Sequence, residues 1–68
     1  MYLSEKSLSE QYDISRSTVT RLVSYIRDGI ASGRYPEQGL LHIGGRARVD
    51  EDLFRKAVID REKERVWR

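Results

Sequence analysis

The side chains with the clearest chemical potential are arginines in the middle of the chain. Residues 15–49 hold six arginines against two acidic residues, whereas residues 1–14 carry a net charge of −2 and residues 50–68 are neutral. Arginine presents a planar fork of donors that matches both phosphate and the edge of guanine. The uneven charge favours a polyanionic partner, although the whole chain carries only +2.

Polar residues are concentrated just after Ser15, where a helix is expected to start. An arginine in the first turns of such a helix can bond guanine through two hydrogen bonds, for about 1–3 kcal/mol of discrimination. Serine and threonine hydroxyls suit phosphates or several bases. We therefore predict that five side chains face the major groove of double-stranded DNA: Arg16, Ser17, Thr18, Thr20 and Arg21.

Other chemistries find little support in the sequence. The chain has no cysteine, and its one histidine, His42, has no partner at metal-ligand spacing, so we expect no metal and no cofactor. No nucleophile, base and orienting group recur together, which argues against an enzyme. No apolar run reaches the roughly 18–20 residues of a membrane span, and no signal peptide is recognisable. We expect a cytoplasmic protein.

Three helix starts share one pattern that would position the polar residues. An apolar residue precedes a capping side chain, and a second apolar residue follows four positions after the cap. We expect helices to begin after residues 4, 15 and 50, with the first running from Glu5 to about Tyr12 and ending at Asp13. The second should close at Gly29 or Gly33. The three patterns are Leu3-Ser4-Leu8, Ile14-Ser15-Val19 and Val49-Asp50-Phe54.

Residues 40–49 are typical of a hairpin around Gly44 and Gly45, preceded by a loop over residues 33–39. A two-residue turn would place the two hairpin arginines on the same face as the apolar residues of the first strand. A three-residue connection over residues 44–46 gives one apolar face, and we predict that register. It groups Leu41, Ile43, Ala47 and Val49, directs His42 and Arg48 outward, and places Arg46 at the tip.

The last predicted helix changes character along its length. Its first part has the spacing to bury Leu53, Phe54, Ala57 and Val58, but every residue from Asp60 to Arg65 is charged. We expect residues 60–68 to form a solvated helical extension or tail. Trp67 would either fold back over the core, which we favour, or dock onto a partner. The 68 residues thus predict one mainly α domain with a small β-hairpin.

The sequence resembles the excisionase-like, MerR-like winged helix-turn-helix proteins of phages and conjugative transposons. The resemblance rests on residues 2–4, on residues 13–19 at the turn, and most on residues 41–50 before an acidic helix start. It implies a winged helix-turn-helix fold and assigns Arg46 and Arg48, with His42 a weaker candidate, to phosphate or minor-groove contact. The chain departs from this family in lacking a leading strand and in a longer connection before the wing.

The resemblance also implies a function. An excisionase, or recombination directionality factor, binds and bends attachment-site DNA and helps an integrase, here of the tyrosine type, to excise a mobile element. We expect neighbouring copies side by side on direct repeats, because the sequence shows no obvious apolar dimerisation helix. A transcriptional regulator of a phage or mobile element on the same fold and a protein-interaction module are the alternatives.

Overall fold

Three helices and a three-stranded antiparallel sheet make up the described part of the chain, residues 1–66, in the computed structural model. The predicted mainly helical class with a small β component is confirmed. Trp67 and the side chain of Val66 lie outside the described residues. Within residues 1–66, no helix combines the length and apolar character that crossing a membrane requires. The elements are β1 (Tyr2–Ser4), α1 (Glu5–Tyr12), α2 (Arg16–Ala31), a 3-10 turn (Glu37–Gly39), β2 (Leu40–Ile43), β3 (Arg46–Asp50) and α3 (Glu51–Val66).

All three predicted helix starts are confirmed. At each one, a side-chain oxygen accepts the backbone N–H three residues later, which satisfies one of the unpaired donors of the first turn. The apolar residue four positions after each cap is completely buried: Leu8, Val19 and Phe54. The accepting oxygens belong to Ser4 (from Ser7, 3.1 Å), Ser15 (from Thr18, 3.2 Å) and Asp50 (from Leu53, 3.3 Å).

The turn between α1 and α2 depends on Asp13. This residue adopts the left-handed conformation with φ +55°, the only non-glycine residue to do so in residues 1–66. Aspartate tolerates that region better than most side chains. The next residue, Ile14, donates its N–H to the carbonyl of Ser9 at 3.0 Å. Asp13 therefore ends α1 as predicted and sets where α2 begins.

The end of α2 distinguishes between the two glycines proposed to close it. Gly33 has φ +82° and donates to the carbonyl of Ile30 at 3.1 Å, while Arg34 donates to Gly29 at 2.7 Å. These two bonds form a Schellman motif. Gly33 therefore closes the helix, and Gly29 lies within its last turn, against the ring of the buried Tyr35.

The sheet has the strand order β1-β3-β2, so β3 is central. The expectation that the chain lacks a leading strand was wrong, because residues 2–4 pair antiparallel with β3. Leu3 and Leu40 both pair with Val49, which is fully buried. Pairing β1 with β3 satisfies backbone groups that would otherwise remain at the sheet edge.

The predicted hairpin register was also wrong. β2 and β3 are joined by the two-residue turn Gly44-Gly45, with φ +59° and +77°, and Ile43 pairs with Arg46. Positive φ at both central residues suits the right-handed twist of the strands, which favours this tight turn over a three-residue connection. Only the base of the hairpin packs on the core. Its outer end is exposed on both strands, so no apolar face is buried there. Leu41, Ile43, Arg46 and Arg48 share the outer face, and His42 lies on the face of Val49.

The charged part of α3 is helical and packs against the loop after α2. Tyr35, only 4% exposed, donates its hydroxyl hydrogen to Asp60 at 2.7 Å. Burial, together with this hydrogen bond, raises the pKa of the Tyr35 hydroxyl above its ordinary value. Arg34 lies against the Tyr35 and Tyr25 rings and pairs with Glu64 at 3.3 Å. These contacts hold the long connection that leads into the hairpin.

We predict that Gly29→Ala destabilises the protein, although alanine is the better helix former. A Cβ at this position would overlap Cδ2 of Tyr35, so the ring must move. Overpacking costs about 1–3 kcal/mol and helix propensity returns about 1 kcal/mol, so the free energy of unfolding should fall by up to about 2 kcal/mol. Urea denaturation measures the change. The exposed Ser24→Ala is the control, and a more stable Gly29→Ala variant would contradict the packing described here.

Candidate nucleic-acid interface

An open groove of about 370 Å³ lies where the starts of α1 and α2 meet the hairpin. The basic groove, as we call it, is lined by the cationic residues Lys6, Arg16, Arg46 and Arg48, together with the carboxylate of Glu5. Residues from three separate segments of the sequence therefore form one positively charged surface. Such a concentration of cations attracts a polyanion.

The backbone fixes the position of each arginine in the groove. Arg16 is the first residue of α2, directly after the Ser15 cap. Arg46 and Arg48 are two residues apart on β3 and therefore point to the same face of the sheet. Arg48 is half-buried and donates to the carbonyl of Ala47 at 3.2 Å, whereas Arg46 is exposed. The hairpin arginines thus differ in exposure, and Arg46 is the more accessible of the two.

The five residues predicted on α2 do not share one surface. A helix turns about 100° per residue, so Arg16 and Thr20 lie on one edge of α2, and Ser17 and Arg21 lie at the centre of the exposed face. Thr18 lies about 160° from Arg16, on the far edge. Of the five, only Arg16 lines the basic groove together with the hairpin arginines. Thr20 follows it on the same edge of α2, and Ser17 and Arg21 lie outside the groove lining.

Thr18 lines a different cleft, of about 260 Å³, between α2 and α3. Val58 and Arg61 of α3 form its other wall. The Thr18 hydroxyl lies 2.9 Å from that of Ser15, so it also takes part in the cap of α2. Thr18 contributes to the helix start and to the α2–α3 boundary rather than to the basic groove.

Ser17 and Arg21 are both exposed. The hydroxyl of Ser17 lies 3.1 Å from that of Ser15. The guanidinium of Arg21 makes no hydrogen bond or salt bridge to any residue in the described range 1–66. Arg21 is therefore available to an external ligand without breaking an internal contact.

Glu5 and Lys6 are groove residues that the sequence reasoning missed. The Thr20 hydroxyl lies 3.1 Å from the Glu5 carboxylate and 3.0 Å from the carbonyl of Arg16, which ties α1 to α2 across the groove. Glu5 also suits the positive end of the α1 dipole. In the sequence, both residues are marked only by their place in the first turn of α1. That position does not show that Arg16 and the hairpin arginines lie across the groove from them.

Comparison with protein-family models, with curated proteins and with solved structures finds no match to this chain. Within the part of the chain that the structure describes, no three His, Cys, Asp or Glu side chains come together in an arrangement suited to a metal ion. The functional interpretation therefore depends on the charge and geometry of the basic groove itself.

We predict that Glu5→Gln strengthens the binding of polyanions. The change removes the carboxylate charge from the basic groove but keeps an oxygen that can accept from Thr20. Elution from a heparin column should shift to higher salt, because the groove would hold four cations without an opposing charge. Arg16→Ala should shift elution to lower salt.

Glu10→Gln provides the matched control, since Glu10 is exposed on α1 and does not line the groove. It removes the same charge from the chain. Equal shifts for Glu5→Gln and Glu10→Gln would mean that net charge, and not the groove, governs polyanion binding.

Proposed function

We propose that the chain binds double-stranded DNA as a winged helix-turn-helix protein and acts as an excisionase that assists a tyrosine-type integrase. The observation that carries the proposal is the basic groove, in which Arg16 at the start of α2 lies alongside Arg46 and Arg48 of the hairpin. Helix-turn-helix proteins place the start of their second helix against base edges. The hairpin then serves as the wing.

The two elements suit neighbouring parts of a duplex. A major groove about 12 Å wide admits a helix, and the exposed face of α2 presents Ser17 and Arg21 at its centre. The hairpin lies beside the start of the same helix. In this position the hairpin contacts the adjacent sugar–phosphate backbone or the minor groove of the duplex. The turn at Asp13, with α1 and α2 packed through the buried Leu8 and Val19, supports this arrangement.

The side chains divide by the kind of contact they can make. Arg16 and Arg21 are the base readers, because their planar donor forks match guanine. Ser17 and Thr20 are better suited to phosphates. Thr18, on the far edge of α2, reaches only the sugar–phosphate backbone of the DNA. Arg46 and Arg48 hold phosphates or the minor groove.

For an excisionase we expect copies that bind next to one another on direct repeats. The exposed large apolar side chains in residues 1–64 are divided among residues 1 and 2, the hairpin and α3, namely Met1, Tyr2, Ile43 and Ile59. This distribution supports single units on direct repeats better than a two-fold symmetric dimer, whose interface is one self-complementary patch.

The choice between excisionase and regulator is tested on duplexes selected from a random pool by the wild-type chain. Footprints should show directly repeated sites, and adding the chain to the integrase of the same mobile element should promote excision. A single two-fold symmetric footprint without any effect on excision would indicate the transcriptional regulator instead.

We predict different consequences for the two kinds of arginine. Arg21→Ala should weaken binding to the selected site by about 1–3 kcal/mol and relax its sequence preference, since a base contact is lost. Arg46→Ala should weaken binding to all sequences about equally and make the negative slope of log K against log salt shallower by about 1, since a phosphate contact is lost. Electrophoretic shifts over a salt series measure both.

Lys56→Ala is the control for the loss of one positive charge, because Lys56 is exposed on α3 and does not line the groove. It should leave both affinity and salt slope close to wild type. The reverse pattern for Arg21→Ala and Arg46→Ala would contradict the assignment of α2 and the wing. Binding that is absent or independent of salt would favour the protein-interaction module.

A further inference from the structure

The outer face of the hairpin carries an apolar side chain that the core does not use. Ile43 is 59% exposed at the end of β2 and pairs directly with Arg46 across the hairpin. Directly paired side chains lie on the same face of a sheet. Ile43 therefore stands next to the exposed Arg46 of the basic groove, with the pair Leu41 and Arg48 behind it.

The turn in front of this pair carries no side chains. Gly44 and Gly45 both have positive φ, and no atom lies within 4 Å of the place where either Cβ would be. Ile43 and Arg46 are therefore the first side chains behind the end of the hairpin. The minor groove of DNA is only about 6 Å wide, so a bare glycine turn is well suited to enter it.

We propose that Ile43 enters the minor groove beside Arg46 and inserts between two base pairs, which kinks the duplex. The proposal rests on the DNA-binding function given above. Isoleucine is one of the apolar wedges that unstack a base step, and the bent duplex then contacts more of the protein. Arginine is drawn to the negative potential of a narrow minor groove. The preferred ligand is a duplex with an easily unstacked pyrimidine–purine step, such as TA, under the hairpin.

The test separates kinking from binding. Duplexes selected by the wild-type chain carry 2-aminopurine in place of each adenine in turn, to report unstacking, and a dye at each end, to report bending. With Ile43→Ala, affinity should stay within about tenfold of wild type, since the cost of unstacking disappears together with the wedge contacts. The rise in 2-aminopurine fluorescence and the approach of the two ends should each fall by at least roughly half.

Two further variants control the comparison. Ile59→Ala removes a similarly exposed isoleucine, 49% exposed on α3, and should kink the duplex like the wild-type chain. Ile43→Thr keeps a β-branched side chain suited to a strand but adds a hydroxyl, and it should lose the kink as Ile43→Ala does. Thermal melting of each variant near the wild-type temperature shows that the fold is retained.

The outcomes distinguish the inference from the function on which it rests. If the Ile43 variants kink DNA as the wild-type chain does, the wedge is wrong and DNA binding stands. If the wild-type chain binds no duplex, both are wrong. If Ile43→Ala changes only the self-association of the free chain in analytical ultracentrifugation, Ile43 contacts a second copy and the wedge is again wrong.

Discussion

The pairing of β3 with both of its neighbours at Val49 is the constraint on which the rest of the structure depends. Val49 is fully buried and pairs with Leu3 on one side and Leu40 on the other. Side chains alternate along a strand, so placing Val49 in the core directs Arg48 to the outer face. Arg46, two residues before Arg48, points to the same outer face. The same pairing holds β1, and therefore the start of α1, beside the hairpin. One buried valine thus determines how the two hairpin arginines face the basic groove.

The second contribution comes from the helix caps, which place charged residues at helix starts rather than at random on the surface. Ser4 and Ser15 begin α1 and α2 so that Lys6 and Arg16 fall in first turns that border the hairpin. A chain of 68 residues buries only a thin core, so local devices such as caps and the Gly33 closure carry much of its structural definition. The helix caps that define the fold therefore also position the charged side chains of the basic groove.

Local features could be predicted from the sequence, whereas long-range pairing could not. The three caps, the turn at Asp13 and the closure of α2 each depend on residues within one or two turns of each other. The role of residues 2–4 as a strand depends on pairing with β3 at residues 46–50, far away in the sequence, and three residues carry no pattern of their own. The predicted hairpin register was wrong for a related reason. An apolar face over Leu41 and Ile43 is favoured only where the hairpin lies on the core, and only the folded chain shows how far the hairpin extends beyond it. Lys6 and Glu5 were missed because only the folded chain brings α1 to the groove.

We propose that the start of α2 and the hairpin act as one DNA-binding surface. It is tested most directly by adding a selected duplex to the isotopically labelled chain and following its backbone amide resonances. We expect concerted shifts at Arg16–Arg21 and at Gly44–Arg46, with little change around Ile59 on the exposed side of α3. Shifts confined to α3, or to only one of the two elements, would contradict it.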